Sequence, residues 1–234
     1  MQSAKSLGAE LVMPAEFVSA DVEEESNLVH YSVNGTTHNC RARLLVNATG
    51  PWANILLEKI NPSPKKREFD LVAGTHIVFD TPPPRGIYYV EAPQDQRAVF
   101  VMPWKGKTMI GTTEKIFEGN PSDLLPTPEE ESYLCEVAAH YFPKFTSYKR
   151  GDIDSSFAGL RVLPHASGKA FSRPRETTFH VDKKTAPRIA TIYGGKLTAF
   201  RVTAEKFVTK FAKKLPLRTR KAWTSELQLT PVQS

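Results

Sequence analysis

Leu28 to Val33 alternates apolar and polar positions with the period of a half-buried strand. Asn34-Gly35 follows, a pair favoured in tight hairpin turns because both positions take positive φ. A return strand is therefore predicted from about Thr36 to Leu44, running on into Leu45-Val46-Asn47-Ala48-Thr49-Gly50. Pro51 suits the opening turn of a helix from Trp52 to Ile60. Ahead of the hairpin, Lys5 to Pro14 reads as a helix end leading into a short strand at Glu10 to Met13.

The stretch Asn61-Pro-Ser-Pro-Lys-Lys-Arg67 has linker character, and the sequence beyond it is rich in strand patterns. Extended segments are predicted at Leu71 to Phe79, Gly86 to Val90, Ala98 to Met102 and Thr108 to Thr112, with Pro82-Pro83-Pro84 in a loop or at an edge. Thr127-Pro128-Glu129-Glu130 opens a helix: the threonine caps, the proline fits the first turn, and Glu130 closes a capping box. Tyr133, Leu134, Val137, Ala138 and Tyr141 follow at helical spacing until Pro143. Extended segments return at Ile153 to Phe157 and Thr177 to Val181. The strand Ile189 to Tyr193 then meets Gly194-Gly195 and a last helix with an apolar stripe of Phe200, Ala204, Phe207, Val208 and Phe211.

Composition narrows the class. Of 234 residues, 40% are hydrophobic and 24% charged, which excludes collagenous and disordered chains. The apolar runs are far shorter than the roughly 20 residues a membrane-spanning helix needs. Met1 to Glu10 lacks the apolar core of a signal peptide, and Cys40 and Cys135 make neither a disulfide framework nor a zinc cluster. A reducing cytoplasmic setting is the expectation. The surplus of 31 basic over 25 acidic residues gives a formal charge of +6, which suits a phosphorylated substrate, an acidic membrane surface or nucleic acid. Lys206, Lys210, Lys213, Lys214, Arg218, Arg220 and Lys221 read equally well as a solvated helix face.

Two segments carry candidate chemistry. In Tyr193-Gly194-Gly195-Lys196-Leu197-Thr198, a strand turns through two glycines into a helix, so unpaired N–H groups and the helix dipole face whatever lies beyond. An ordinary connection with an exposed lysine fits the same residues. The second is Asn47-Ala48-Thr49-Gly50, which on its own also fits a buried strand and a capped helix. His30, His38, His140, His165 and His180 have no metal-ligand spacing.

The ordered set is more specific than its members: Val46 to Trp52, Gly74-Thr-His-Ile-Val78, Gly111-Thr-Thr-Glu114 with Gly119 to Asp123, Gly159-Leu-Arg161, Ser172-Arg173, Gly194 to Thr198 and the late Ala222-Trp-Thr224. In this order they resemble the FAD-dependent glycerol-3-phosphate dehydrogenases, within the D-amino-acid-oxidase-like flavoproteins. The resemblance runs over nearly all of Leu7 to Thr224. It implies a mixed α/β and α+β fold: part of an FAD-binding domain plus an antiparallel-sheet substrate domain. Residues 1–66 are expected in the FAD-binding domain and 67–150 in the β-rich substrate domain. Residues 151–215 are expected to return to the first domain, and 216–234 to form a linker toward a further domain. No Gly-x-Gly-x-x-Gly turn occurs in the chain, so the expectation is an internal fragment that is inactive alone and does not retain FAD.

The resemblance also assigns roles. Ala48, Thr49 and Gly50 correspond to a turn passing the cofactor, and Gly194, Gly195, Lys196, Leu197 and Thr198 to the turn beside the flavin's pyrimidine edge. His76 matches the family's active-site histidine, a proton acceptor or a hydroxyl-positioning group. Arg161 and Arg173 match arginines facing substrate and phosphate, for which a planar fork is suited. Read as residues alone, His76 equally fits a packed histidine and the arginines surface groups. Val162 follows Arg161 where the family commonly has proline, which loosens the local backbone and Arg161's aim.

The implied reaction oxidises sn-glycerol 3-phosphate to dihydroxyacetone phosphate and passes electrons through FAD to a membrane quinone. A location peripheral to the inner face of the cell membrane is part of that expectation. An amino-acid oxidase of the same fold is one alternative. A non-enzymatic basic binding module is another, but the notable arginines sit beside glycine turns and no nucleic-acid motif is present, so nucleic acid is not an expected partner.

Overall fold

The structure, a computed structural model, describes residues 1–165, 176–212 and 224–230. In chain order its elements are α1 (Gln2–Ser6), β1 (Glu16–Val22), β2 (Asn27–Val33), β3 (Thr36–Ala42), β4 (Leu45–Asn47), α2 (Ala53–Glu58) and β5 (Ile60–Asn61). Then come β6 (Phe69–Phe79), β7 (Tyr88–Glu91), β8 (Ala98–Trp104), β9 (Lys107–Gly111), β10 (Lys115–Phe117), α3 (Pro128–Tyr141) and β11 (Ile153–Pro164). The described chain ends with β12 (Thr178–Val181), β13 (Ile189–Tyr193) and α4 (Phe200–Phe211). The chain divides into two units, Met1–Arg67 with Arg175–Ser234, and Glu68–Pro174.

In the first unit, β3, β2, β1 and β5 form one sheet, with β1 and β2 antiparallel and β1 and β5 parallel. The β2–β3 hairpin turns at Asn34 (φ 51°) and Gly35 (φ 80°), the conformation the pair predicts. A smaller sheet has the order β12-β13-β4, with β13 and β4 running parallel. Asn27 ties the two sheets together: buried, its amide donates to the carbonyls of Ala42 and Arg188. β13 is covered on both sides, as a parallel strand must be. Ile189 packs with Ala20, Leu57 and Ile60, and Ala190 packs with Phe207 and Phe211 of α4.

Three local expectations change here. Glu10 to Met13 form no strand. The helix predicted from Trp52 to Ile60 is a 3-10 turn, Gly50–Trp52, followed by α2, and Ile60 already belongs to β5. Of the α4 stripe, Phe207 and Phe211 are buried, whereas Phe200 is 67% and Val208 53% exposed. One i, i+4 pair suffices to seat the helix on Ala190.

In the second unit β6 is central. β11 runs antiparallel along one edge from Ile153↔Phe79 to Pro164↔Phe69. β9 and β10 share the other edge, and β8 and β7 extend the sheet beyond β9. Residues 151–165, within the span expected to return to the first domain, therefore lie in the second unit. The reason is the register: β11 pairs with β6 over its whole length, so its backbone groups are satisfied there.

Ile77, Phe79, Val99, Val101 and Ile110 form the core face of this sheet and pack against Leu134, Val137 and Ala138 of α3 and against Phe145. Each large side chain so buried contributes about 1.5–3 kcal/mol. α3 starts as its sequence predicts: Thr127 Oγ1 accepts from Glu130 N–H at 3.3 Å, and Glu130 Oε2 accepts from Thr127 N–H at 3.2 Å. The alternation of β6 leaves Gly74 and His76 on the opposite face. That face carries the second unit's chemistry.

Candidate functional sites

In the first unit, the carboxyl ends of the parallel neighbours β4 and β13 bring two turns to one edge of the sheet, since Asn47 pairs with Thr191. The carboxyl edge of a parallel sheet is where such folds bind ligands. Asn47 builds the first turn. Buried at 1% exposure, it accepts at Oδ1 from Thr49 Oγ1 (2.7 Å) and Thr49 N–H (3.3 Å), and its amide donates to the Ala53 carbonyl (2.9 Å). That clamp turns the chain at Ala48-Thr49 into Gly50, whose φ of 58° favours glycine.

The second turn follows Tyr193, whose hydroxyl donates to Asn54 Oδ1 on α2 at 2.8 Å. Gly194 and Gly195 take φ of 72° and 91°, and a Cβ on Gly195 would lie 2.5 Å from Thr177 Oγ1. Lys196 precedes the 3-10 turn Leu197–Ala199 that leads into α4. The side chains of Lys196, Leu197 and Thr198 are exposed, Leu197 at 90%. Both turns offer a ligand bare backbone at glycine and N–H groups at the start of helical structure. Such edges fit the polar rim of a flat cofactor ring.

In the second unit, a row runs across the sheet: Phe157↔His76↔Gly111↔Phe100. The His76 ring stacks on Phe157 with centroids 5.0 Å apart and planes 7° apart. Its other side exists because residue 111 has no side chain: a Cβ there would lie 2.2 Å from His76 Cδ2. Nδ1 of His76 is buried and has no hydrogen-bond partner among the described residues. Burial first, and the charge of Arg161 second, hold the imidazole below its ordinary pKa of 6.5. His76 is thus neutral at pH 7 and able to accept a proton.

Arg161 reaches the same face from β11. Its Nη1 donates to Glu114 Oε2 at 3.3 Å, and its Nη2 to Thr112 Oγ1 at 3.4 Å. A Cβ on Gly74 would lie 2.4 Å from Thr112 Oγ1 and 2.9 Å from Arg161 Nη2, so that glycine makes the seat for the guanidinium. Thr113 fixes the backbone here: its Oγ1 accepts from Thr75 N–H (2.9 Å) and donates to Glu130 Oε1 on α3 (2.5 Å). Despite the valine at 162, a defined carboxylate partner sets Arg161's direction.

Of the sequence-derived site residues, the structure thus places His76 and Arg161 on one sheet face, and the groups Ala48–Gly50 and Gly194–Thr198 at one strand edge. Arg173 lies outside the described residues. Sequence reasoning assigned no role to Glu114, Gly74 or Gly111, although all three stand inside the motifs that carried the resemblance. Phe157 gave no signal beyond its place in an extended segment. Among the described residues no cluster of His, Cys, Asp or Glu could hold a metal ion, and no helix is long and apolar enough to cross a membrane.

The chain has relatives among known proteins. D-erythritol 1-phosphate dehydrogenase of Brucella abortus is 31% identical over 203 residues, covering 85% of this chain and 40% of that protein. Aerobic glycerol-3-phosphate dehydrogenase of Bacillus subtilis is 36% identical over 170 residues, or 71% of this chain and 30% of that protein. The crystal structure of the glycerol-3-phosphate dehydrogenase from Bacillus halodurans, complexed with FAD, superposes with a TM-score of 0.77 at 30% identity, over 91% of this chain and 41% of that one. The chain spans about two fifths or less of the length of these relatives. The family model for FAD dependent oxidoreductases (DAO) matches residues 1–201. From its first residue to the opening turn of α4, this chain belongs to the DAO family of FAD-dependent oxidoreductases.

Proposed function

We propose that the chain is the part of an FAD-dependent dehydrogenase that handles a phosphorylated polyol, with sn-glycerol 3-phosphate oxidised to dihydroxyacetone phosphate. One observation carries the reading: a neutral, half-buried imidazole and a guanidinium of fixed direction share one face of the second unit's sheet. His76 takes the proton of the substrate's secondary hydroxyl at Nε2, since Nδ1 is sealed from solvent. Arg161 engages the substrate beside it, and Arg173 takes the phosphate as a charge-assisted pair. Ala48, Thr49, Gly50 and Gly194 to Thr198 would hold the FAD ring through their backbone groups. When bound, FAD supplies the acceptor for the hydride. The acceptor beyond FAD would be a membrane quinone, and the basic surplus suits a cytoplasmic protein peripheral on the inner membrane face.

The Brucella relative supports a second reading, in which the polyol is a four-carbon phosphate. An amino-acid oxidase has less behind it, because the relatives reported above are named for polyol phosphates. Calorimetric titration of the chain with glycerol 3-phosphate, erythritol 1-phosphate, glycerol and glycine separates these. Binding that requires the phosphate supports the reading, and the tighter of the two phosphates names the substrate. Glycine binding as well as either phosphate would sink it.

A further inference from the structure

The charged side chains next to Arg161 form one continuous series within the second unit. Tyr133 of α3 donates its hydroxyl to Asp95 Oδ1 at 2.9 Å, and Asp95 Oδ2 lies 3.6 Å from Arg97 Nε. Arg97 Nη2 lies 3.4 Å from Glu114 Oε1, while Glu114 Oε2 accepts from Arg161 Nη1 at 3.3 Å. These groups, short of Arg161, line a cavity of about 260 Å³ that also touches Lys115, Thr113 and Glu130. The Glu114 side chain is only 6% exposed, against 16% for Arg97 and 27% for Arg161.

A carboxylate this buried needs a partner for each of its oxygens. Glu114 meets the requirement with one arginine on each oxygen, so it cannot rotate without losing one of them. Arg161 is confined in turn by Glu114, by Thr112 and by the empty space at Gly74. We propose that Glu114, backed by Arg97, is a positioning residue that fixes the orientation in which Arg161 receives the substrate. This rests on the reading above that Arg161 engages the substrate.

Simple charge counting leads to the opposite expectation. Removing the carboxylate makes the site more positive by one charge, which should tighten an anion. Positioning demands that the anion bind more weakly. Without the carboxylate between them, Arg97 and Arg161 repel, and a fork without a fixed direction pays ordering entropy on binding.

The test is Glu114→Gln in the 234-residue chain, with two readouts. Nitrogen-15 relaxation of the Arg161 Nε–H reports its restraint without any ligand, and calorimetry with glycerol 3-phosphate reports affinity. The expected result is a restrained Arg161 in the parent, loss of that restraint in Glu114→Gln, and about tenfold weaker binding. Glu114→Gln should add nothing in an Arg161→Met background, which a merely structural role would not produce. Unchanged restraint, unchanged affinity or tighter binding in Glu114→Gln overturns the proposal. An Arg161→Met chain that binds as well as the parent instead overturns the substrate reading, whatever the relaxation shows. If circular dichroism finds Glu114→Gln unfolded, Arg97→Gln takes its place: a smaller loss of restraint and affinity is expected, and no change in either overturns the proposal.

Discussion

At the carboxyl ends of β4 and β13 the groups offered to a ligand are main-chain N–H donors around Gly50, Gly194 and Gly195, and the side chains of Lys196, Leu197 and Thr198 are exposed. On the sheet of the second unit the offered groups are side chains, His76 and Arg161, each held by neighbours that would clash or lose a partner if changed. A site made of backbone depends on φ and on the absence of Cβ atoms. A site made of side chains depends on who packs against whom. The first is therefore expected to tolerate changes at Lys196 or Leu197 and the second few, while in both a glycine is expected to be the hardest residue to replace.

The strongest way to break that contrast is Gly111→Ala. The new methyl would overlap the His76 ring, and overpacking of this kind costs about 3 kcal/mol. Thermal unfolding should show it as a lower midpoint, and an unchanged midpoint would mean that the His76 ring is not seated over residue 111. Gly195→Ala combines positive φ with an approach to the Thr177 hydroxyl, and about 1–2 kcal/mol is expected from the same measurement. A cost equal to that of Gly111→Ala would erase the distinction between the two sites.

His76 sharpens the comparison through pH. Its folded pKa lies below 6.5, so above that value both folded and unfolded states are neutral and stability is unaffected. As pH falls below 6.5 the unfolded chain takes up a proton that the folded site refuses, and stability declines. His180 in the first unit is lowered for the same leading reason, burial, with Arg67 adding to it. His76→Gln should therefore flatten part of the acid limb of a stability–pH curve, and an unaltered limb would show that His76 titrates normally. The smallest effect belongs to Leu197→Ala. At 90% exposure the residue should change stability by less than about 0.5 kcal/mol, and a larger loss in chemical denaturation would reveal packing at this turn.

How much of this was legible beforehand varies residue by residue. Asn34-Gly35 and the Thr127–Glu130 capping box were readable because each is settled within a few residues by φ preferences and short side-chain hydrogen bonds. His76 and Arg161 were picked out by their motifs. The extent of β11 was not, because nothing inside Ile153–Pro164 says which strand it will pair with. The α4 stripe misled for the same reason: periodicity shows which residues share a face, and only the partner decides how much of it is covered.

The sequence by itself determined the hairpin turn, the capping box and the two glycine-edged segments, since these follow from local backbone energetics. The tertiary structure decided that Gly111 makes room for His76, 35 positions away, and that Glu114 holds Arg161, 47 positions away. It also placed residues 151–165 with the β-rich unit. Such relations between distant residues are fixed by the need to pair buried charges and backbone groups, and that need is defined only once the sheet has closed around them.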